Sequence, residues 1–196
     1  MPPDELVLEG IVITLDAAGH ANIAPMGPRT DRAITRLVLR PFSTSHTHQN
    51  LKATGCGVFH ITDDVELLAR AAVGQLRSPP DLAPVNDFPC PRLADVCRWF
   101  AFEVKSFDDS AERISIDCAI TTHGEVRPFF GFNRAKHAVL EASILATRIG
   151  IIPDEQIRRE LERLATLVQK TAGLQERRAF DFLQTYIAAQ LAPSEP

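Results

Sequence analysis

At Asn133 the hydrophobic period of this chain changes, and nothing else in the sequence constrains the fold as tightly. Upstream, apolar residues come in short β-branched runs separated by turn residues; downstream they recur at helical spacing to the C-terminus. Runs of strands followed by runs of helices point to two separately packed layers, so a β domain is expected over residues 1–130 and a helical domain over residues 131–196. The helices are expected at Asn133 to Ile149, Asp154 to Lys170 and Gln175 to Leu191, divided by Gly150 with Pro153 and by Gly173. No internal repeat or low-complexity tract interrupts this plan.

Within the β domain, Val7 to Leu15 and His20 to Pro25 read as a hairpin turning at Asp16 to Gly19. Ala33 to Phe42 is expected as a third strand covered on both faces, because Leu37, Val38 and Leu39 are apolar and consecutive. The hydroxyl-rich stretch from Ser43, ending at Gly55, has the chemistry of a short helix with both caps. Cys56 to Thr62 follows as a strand, and Thr62-Asp-Asp64 caps a helix running to Gly74. Residues 75–93 are proline-rich and expected to be irregular, either a lid or a partner surface. Val96 to Phe107 and Arg113 to Thr122 are expected as two long strands around a turn at Asp108 to Ala111.

With 45% hydrophobic residues in 196, the chain has material for a barrel and a small helical appendix. A net charge of -4 with dispersed Lys and Arg leaves no electrostatic footprint for nucleic acid. The N-terminus carries acid at Asp4 and Glu5 where a signal peptide needs base, and no apolar run approaches the ~20 residues of a membrane span. A cytoplasmic protein, bound neither to nucleic acid nor to membrane, is expected. Cys56, Cys90, Cys97 and Cys118 are scattered with no CxxC spacing, which fits reduced thiols and gives no zinc site.

The segment Arg40-Pro-Phe-Ser-Thr-Ser-His-Thr-His-Gln-Asn50 is the richest in chemistry. It gathers one guanidinium and the hydroxyls of Ser43, Thr44, Ser45 and Thr47 at the exit of a strand and the start of a helix. A phosphate monoester is bound by such a set: a fixed cation, short donors and helix N-terminal amides. The same residues also make an ordinary helix cap. His46 and His48 form an HxH pair, but in a helix start the imidazoles diverge and no acid or thiol completes a metal site, so they are read as solvent-facing or phosphate-adjacent. His60 is read as a satisfied sheet histidine, Asp63 and Asp64 as caps, and Arg158 to Arg163 as a solvated helix face. Cys90 and Cys97 lack any electropositive motif that would make them a redox pair. There is no nucleophile triad, P-loop or GxGxxG.

The order of hairpin, Ala24-Pro-Met-Gly27, strand and Arg40 to Leu51 resembles the FMN-binding split barrels, the superfamily of flavin reductase-like and pyridoxamine phosphate oxidase-like folds, and within it most closely the DUF447 family. Gly57 to Asp64, Cys97 to Glu103, Asn133 to Val139 and Lys170 to Gly173 also resemble that family's stretches, so the resemblance covers nearly the whole chain. It implies a six-stranded split β-barrel with a C-terminal helical subdomain, forming a homodimer with FMN at the subunit interface. Arg40, Thr44, Ser45, Thr47 and Asn50 would then hold phosphate and ribityl oxygens. Pro25, Met26 and Gly27 would line the isoalloxazine edge, and Cys90 and Arg92 would complete the pocket from the proline-rich loop. Two functions fit: an FMN-dependent oxidoreductase whose substrate the residues do not set, or a non-catalytic flavin- or nucleotide-binding module.

Overall fold

The computed structural model of the chain describes residues 5–110 and 114–192. The chain forms two compact units, one from the residues up to Thr62 with Pro80–Phe129, the other from Asp63–Pro79 with the residues from Phe130 onward. Met1 to Asp4, Ala111 and Arg113, on which parts of the N-terminal, turn and strand readings fall, lie outside the described residues.

The first unit carries β1 (Leu6–Val7), β2 (Gly10–Leu15), β3 (Ala21–Met26), β4 (Arg29–Thr30), β5 (Arg36–Leu39), α1 (His46–Thr54), β6 (Cys56–Ile61), β7 (Leu82–Val85), β8 (Phe88–Leu93), β9 (Arg98–Asp108) and β10 (Ser115–Glu125). Eight of these strands form one antiparallel sheet in the order β1-β4-β5-β10-β9-β6-β2-β3. β1 and β2 are two pieces of one run of chain parted only by Leu8 and Glu9, yet they lie near opposite ends of that order. The same holds for β3 and β4, parted by Gly27 and Pro28, so the sheet curls back on itself as a split barrel does. These two interruptions are also why eight strands stand where six were expected. Gly10 lies at one of them: a Cβ there would sit 2.2 Å from the His60 carbonyl oxygen, so the close approach of β2 to β6 requires glycine.

The interior is apolar, with Val12, Leu37, Leu39, Leu51, Phe59, Phe100, Phe102 and Ile116 packed together. The third expected strand starts later than its apolar run suggested. Asp31 accepts hydrogen bonds from the Thr35 amide (3.1 Å) and hydroxyl (2.6 Å), and Ile34 adopts φ 54°, so residues 31–35 form a turn. Leu37 and Leu39 are fully buried while Val38 is half-buried, so β5 is covered on one face more than the other.

Residues 75–93 are not irregular throughout: β7 and β8 form a hairpin around Asn86 and Asp87, the latter at φ 54°, a conformation Asp tolerates better than most residues. β8 packs on β2, β6 and β9. His60 holds it there, accepting the Leu93 amide at Nε2 (3.0 Å) while its Nδ1 donates to the Ile11 carbonyl (3.1 Å). Both ring nitrogens are thus used in a fully buried neutral imidazole, whose pKa burial pushes down to about 4.

The second unit contains α2 (Val65–Ala72), α3 (Arg134–Ala146), α4 (Asp154–Thr171) and α5 (Leu174–Gln190). Asp64 caps α2, accepting from the Glu66 and Leu67 amides, and α2 packs on α3 and α5. Buried Ile157, Leu161, Leu164 and Val168 on α4 and Ala179, Phe180, Leu183 and Ile187 on α5 follow the helical period that marks this part of the sequence. The first turns of α2, α3 and α5 are tied by Lys136. Its Nζ donates to the Asp63 carbonyl (2.7 Å) and Gln175 Oε1 (3.2 Å) and pairs with Glu176 Oε1 (2.8 Å). Burial pulls the Glu176 carboxyl up, but Lys136 and the Gly173 amide outweigh it and hold the group below its usual range.

Candidate functional site

α1 is an unusual helix, because its buried face is polar: Thr47, His48 and Asn50 are buried beside Leu51 alone. Ser45 is its N-cap, with the hydroxyl accepting the His48 amide (3.2 Å) and donating to the Phe42 carbonyl (2.8 Å). Gly55 ends it in the left-handed conformation at φ 69°, as its position at the end of the periodic run requires. Hydrogen bonds dock the helix on the sheet. Asn22 on β3 donates from Nδ2 to the Thr47 hydroxyl (3.1 Å), and Asn50 donates from Nδ2 to the Thr14 hydroxyl on β2 (3.1 Å).

At the open end of α1, among the described residues, no partner meets the His46 and Thr47 amides, the Thr44 hydroxyl or the exposed Arg40 guanidinium. The first-turn amides of a helix are donors without intrahelical partners, and the macrodipole adds positive potential there. The result is a helix end rich in unpaired donors, preceded in the chain by an exposed guanidinium, that of Arg40. β3 is the outermost strand at its end of the sheet order, so one edge of its backbone is unpaired in the sheet. Pro25 and Met26 close that strand opposite Ile11 and Gly10, and Gly27 follows at the bend. The Asn22–Thr47 bond joins this edge to α1.

The residues of the sequence reading therefore fall into groups. Arg40 is exposed between β5 and α1, and Thr44 is exposed just before the helix; Ser45 is occupied as its cap; Thr47 and Asn50 are buried against β3 and β2. Pro25, Met26 and Gly27 lie along the edge strand. Cys90 and Arg92 lie on β8, which packs on β2, β6 and β9, whereas α1 packs on β2 and β3. The Cys90 thiol is 1% exposed, faces the Ile13 carbonyl (3.5 Å) and is pushed up to about 12 by burial, with a smaller push from Cys56. Arg92 donates to the Leu93 and Ala94 carbonyls and lies 6.0 Å over the Trp99 ring.

His48 does not face solvent, the first of the two positions expected for it. It is buried, its Nδ1 bonds the Ser43 carbonyl (2.8 Å) and its ring meets Phe107 edge-on at 6.2 Å. His46 is exposed on a different side of the helix, so the HxH pair does not converge, and no metal-binding group of His, Cys, Asp or Glu forms among the described residues. Asn22 and Thr14 escaped the sequence reading, because their partners lie 25 and 36 residues away and nothing local marks them. No helix is long and apolar enough to cross a membrane among the described residues.

A family model described as the N-terminal domain of a protein of unknown function, DUF447, matches residues 8–127, and the companion DUF447 model matches residues 133–185. The chain is similar to the crystal structure of an FMN-bound protein from Methanosarcina mazei assigned to the same family model. The two share 25% identity over 92% of this chain and 94% of that one, with a TM-score of 0.80. It shares its fold with the flavin reductase of styrene monooxygenase from Pseudomonas putida S12, at 12% identity over 62% and 82% of the chains and a TM-score of 0.51. The flavoredoxin of Methanosarcina acetivorans is similar at 9% identity over 61% and 69%, with a TM-score of 0.53. No curated protein matches the chain.

Proposed function

Because the chain belongs to the DUF447 family, we propose that it binds FMN and acts as a flavin-dependent oxidoreductase. One observation carries this reading: the donor-rich start of α1 is bonded to an edge strand, in a chain similar over 92% of its length to an FMN-bound member of the family.

The residues fit the cofactor. Arg40, the Thr44 hydroxyl and the His46 and Thr47 amides are donors without partners among the described residues, as a phosphate requires. Ser45 acts through the cap that opens the helix there, and Thr47 and Asn50 hold that helix in place. From Asn22 to Pro25 the strand advances by roughly 10 Å, a span suited to a ribityl chain, and sets the isoalloxazine edge along the backbone of Pro25, Met26 and Gly27. From β8, Arg92 completes the pocket as a cation already ordered over Trp99, and Cys90, buried against the Ile13 carbonyl, contributes by anchoring that strand on β2. FMN, when bound, supplies the hydride-transfer chemistry; the protein supplies position and polarity.

We assign the flavin site to the domain of residues 1–130, and read residues 131–196 as an appended helical domain. Phe130 and Phe132 are 75% and 94% exposed, and such aromatic surface supports a homodimer with FMN at its interface. Four free, buried thiols support a cytoplasmic location.

A second reading, a non-catalytic flavin module, is favoured by the chemistry of the site. Its groups are binding groups, His48 is tied at Nδ1, and the Cys90 thiol is far from ionising at neutral pH. Anaerobic addition of NADH or NADPH to the flavin-loaded protein separates the two. Bleaching of the flavin spectrum, followed by reoxidation with an added acceptor, is expected of the oxidoreductase. A spectrum unchanged by either nucleotide would leave the binding module as the correct reading.

A further inference from the structure

The polar underside of α1 has a consequence for ligand selection. A short helix held by apolar contacts alone is free to slide or rotate by fractions of an ångström, because burial is non-directional. Hydrogen bonds are directional, and α1 has one to each neighbouring strand: Asn22 on β3 to Thr47, and Asn50 to Thr14 on β2. Thr14 is fully buried and Asn50 is 7% exposed, so their bond lies where water does not compete; Thr47 is 2% exposed, and Asn22 reaches it from a half-buried position on β3. Thr47 is the second residue of the helix, so no helical carbonyl lies four residues earlier for its hydroxyl to back-bond. Asn22 therefore supplies the bond that fixes the Thr47 side chain, and Thr47 belongs to the first turn whose amides face the anion.

We propose that Asn22, seconded by Thr14, is a positioning residue for the flavin phosphate: it locks the register of α1 on the sheet and thereby sets the preference for FMN over unphosphorylated riboflavin. The inference rests on the phosphate lying at the α1 N-terminus. It assigns Asn22 no contact with the ligand.

Riboflavin shares the ring and ribityl chain and lacks only the phosphate, so it reports the rest of the pocket as an internal control. Affinities for FMN and riboflavin are measured by flavin fluorescence titration on the full chain as wild type, Asn22→Leu and Thr14→Val, the last a near-isosteric change should the first fail to fold. The expected result is a wild type that prefers FMN, and variants whose FMN-to-riboflavin preference falls roughly three- to tenfold, the loss of one net hydrogen bond, with riboflavin affinity retained. Variants that keep the wild-type preference, or that weaken both ligands equally, would overturn the positioning role and leave Asn22 a structural residue. A wild type with no preference for FMN would instead overturn the phosphate placement on which the role depends.

Discussion

The proposed phosphate site at the α1 N-terminus rests on single side chains. Arg40 is exposed and meets no partner among the described residues, so its removal leaves the fold intact. Arg40→Ala is expected to weaken FMN binding by about 1.5 to 3 kcal/mol, the range for a hydrogen bond to a charged group, as measured by fluorescence titration. The helix start and its Ser45 cap were legible from the sequence because the hydroxyl cluster and the helical run are neighbours along the chain. Asn22 and Thr14 were not, since their roles arise only when β2 and β3 are brought under α1. The burial of His48 had no sequence signal for the same reason: Phe107, the ring it meets, lies more than fifty residues away.

At the scale of elements, two polar ties hold the units together from within. His60 is neutral in the folded protein with a pKa of about 4 against 6.5 for the free side chain, so the unfolded chain binds the extra proton first as pH falls. Its contribution is fully present above 6.5 and is lost toward 4, on the order of 3 kcal/mol at 1.36 kcal/mol per unit. Urea unfolding followed by Trp99, the sole tryptophan and the register partner of His60, is expected to show this loss between pH 7 and 4.5. His60→Gln, which can both donate and accept, should flatten it. In the helical unit, Lys136→Met leaves the Glu176 carboxylate buried without its cation and is expected to cost about 3 kcal/mol or more, recovered in large part by adding Glu176→Leu; thermal melts by circular dichroism check both. The helices were legible because apolar period and caps agree along their whole length. The β7–β8 hairpin was not, because Pro84, Pro89 and Pro91 mask two strands that pair only with each other and dock on the sheet through the Leu93 amide at His60. β5 was over-extended because the apolar run gives no sign of the Asp31–Thr35 turn that shortens it.

At the scale of the molecule, the change of hydrophobic period at Asn133 announced a strand-built and a helical part, while the packing of α2 with the C-terminal helices had no sequence signal. If Phe130 and Phe132 lie in a subunit interface, multi-angle light scattering is expected to give the mass of a dimer for the wild type and of a monomer for Phe130→Ser/Phe132→Ser; a monomeric wild type would remove the second subunit from the site. FMN at the end of α1 is tested by the identity of whatever chromophore the purified protein carries or takes up. Denaturation of the flavin-loaded protein, followed by chromatography and mass analysis of the released cofactor, is expected to return FMN in near-stoichiometric amount. A protein that is colourless as purified and takes up no added FMN would contradict it.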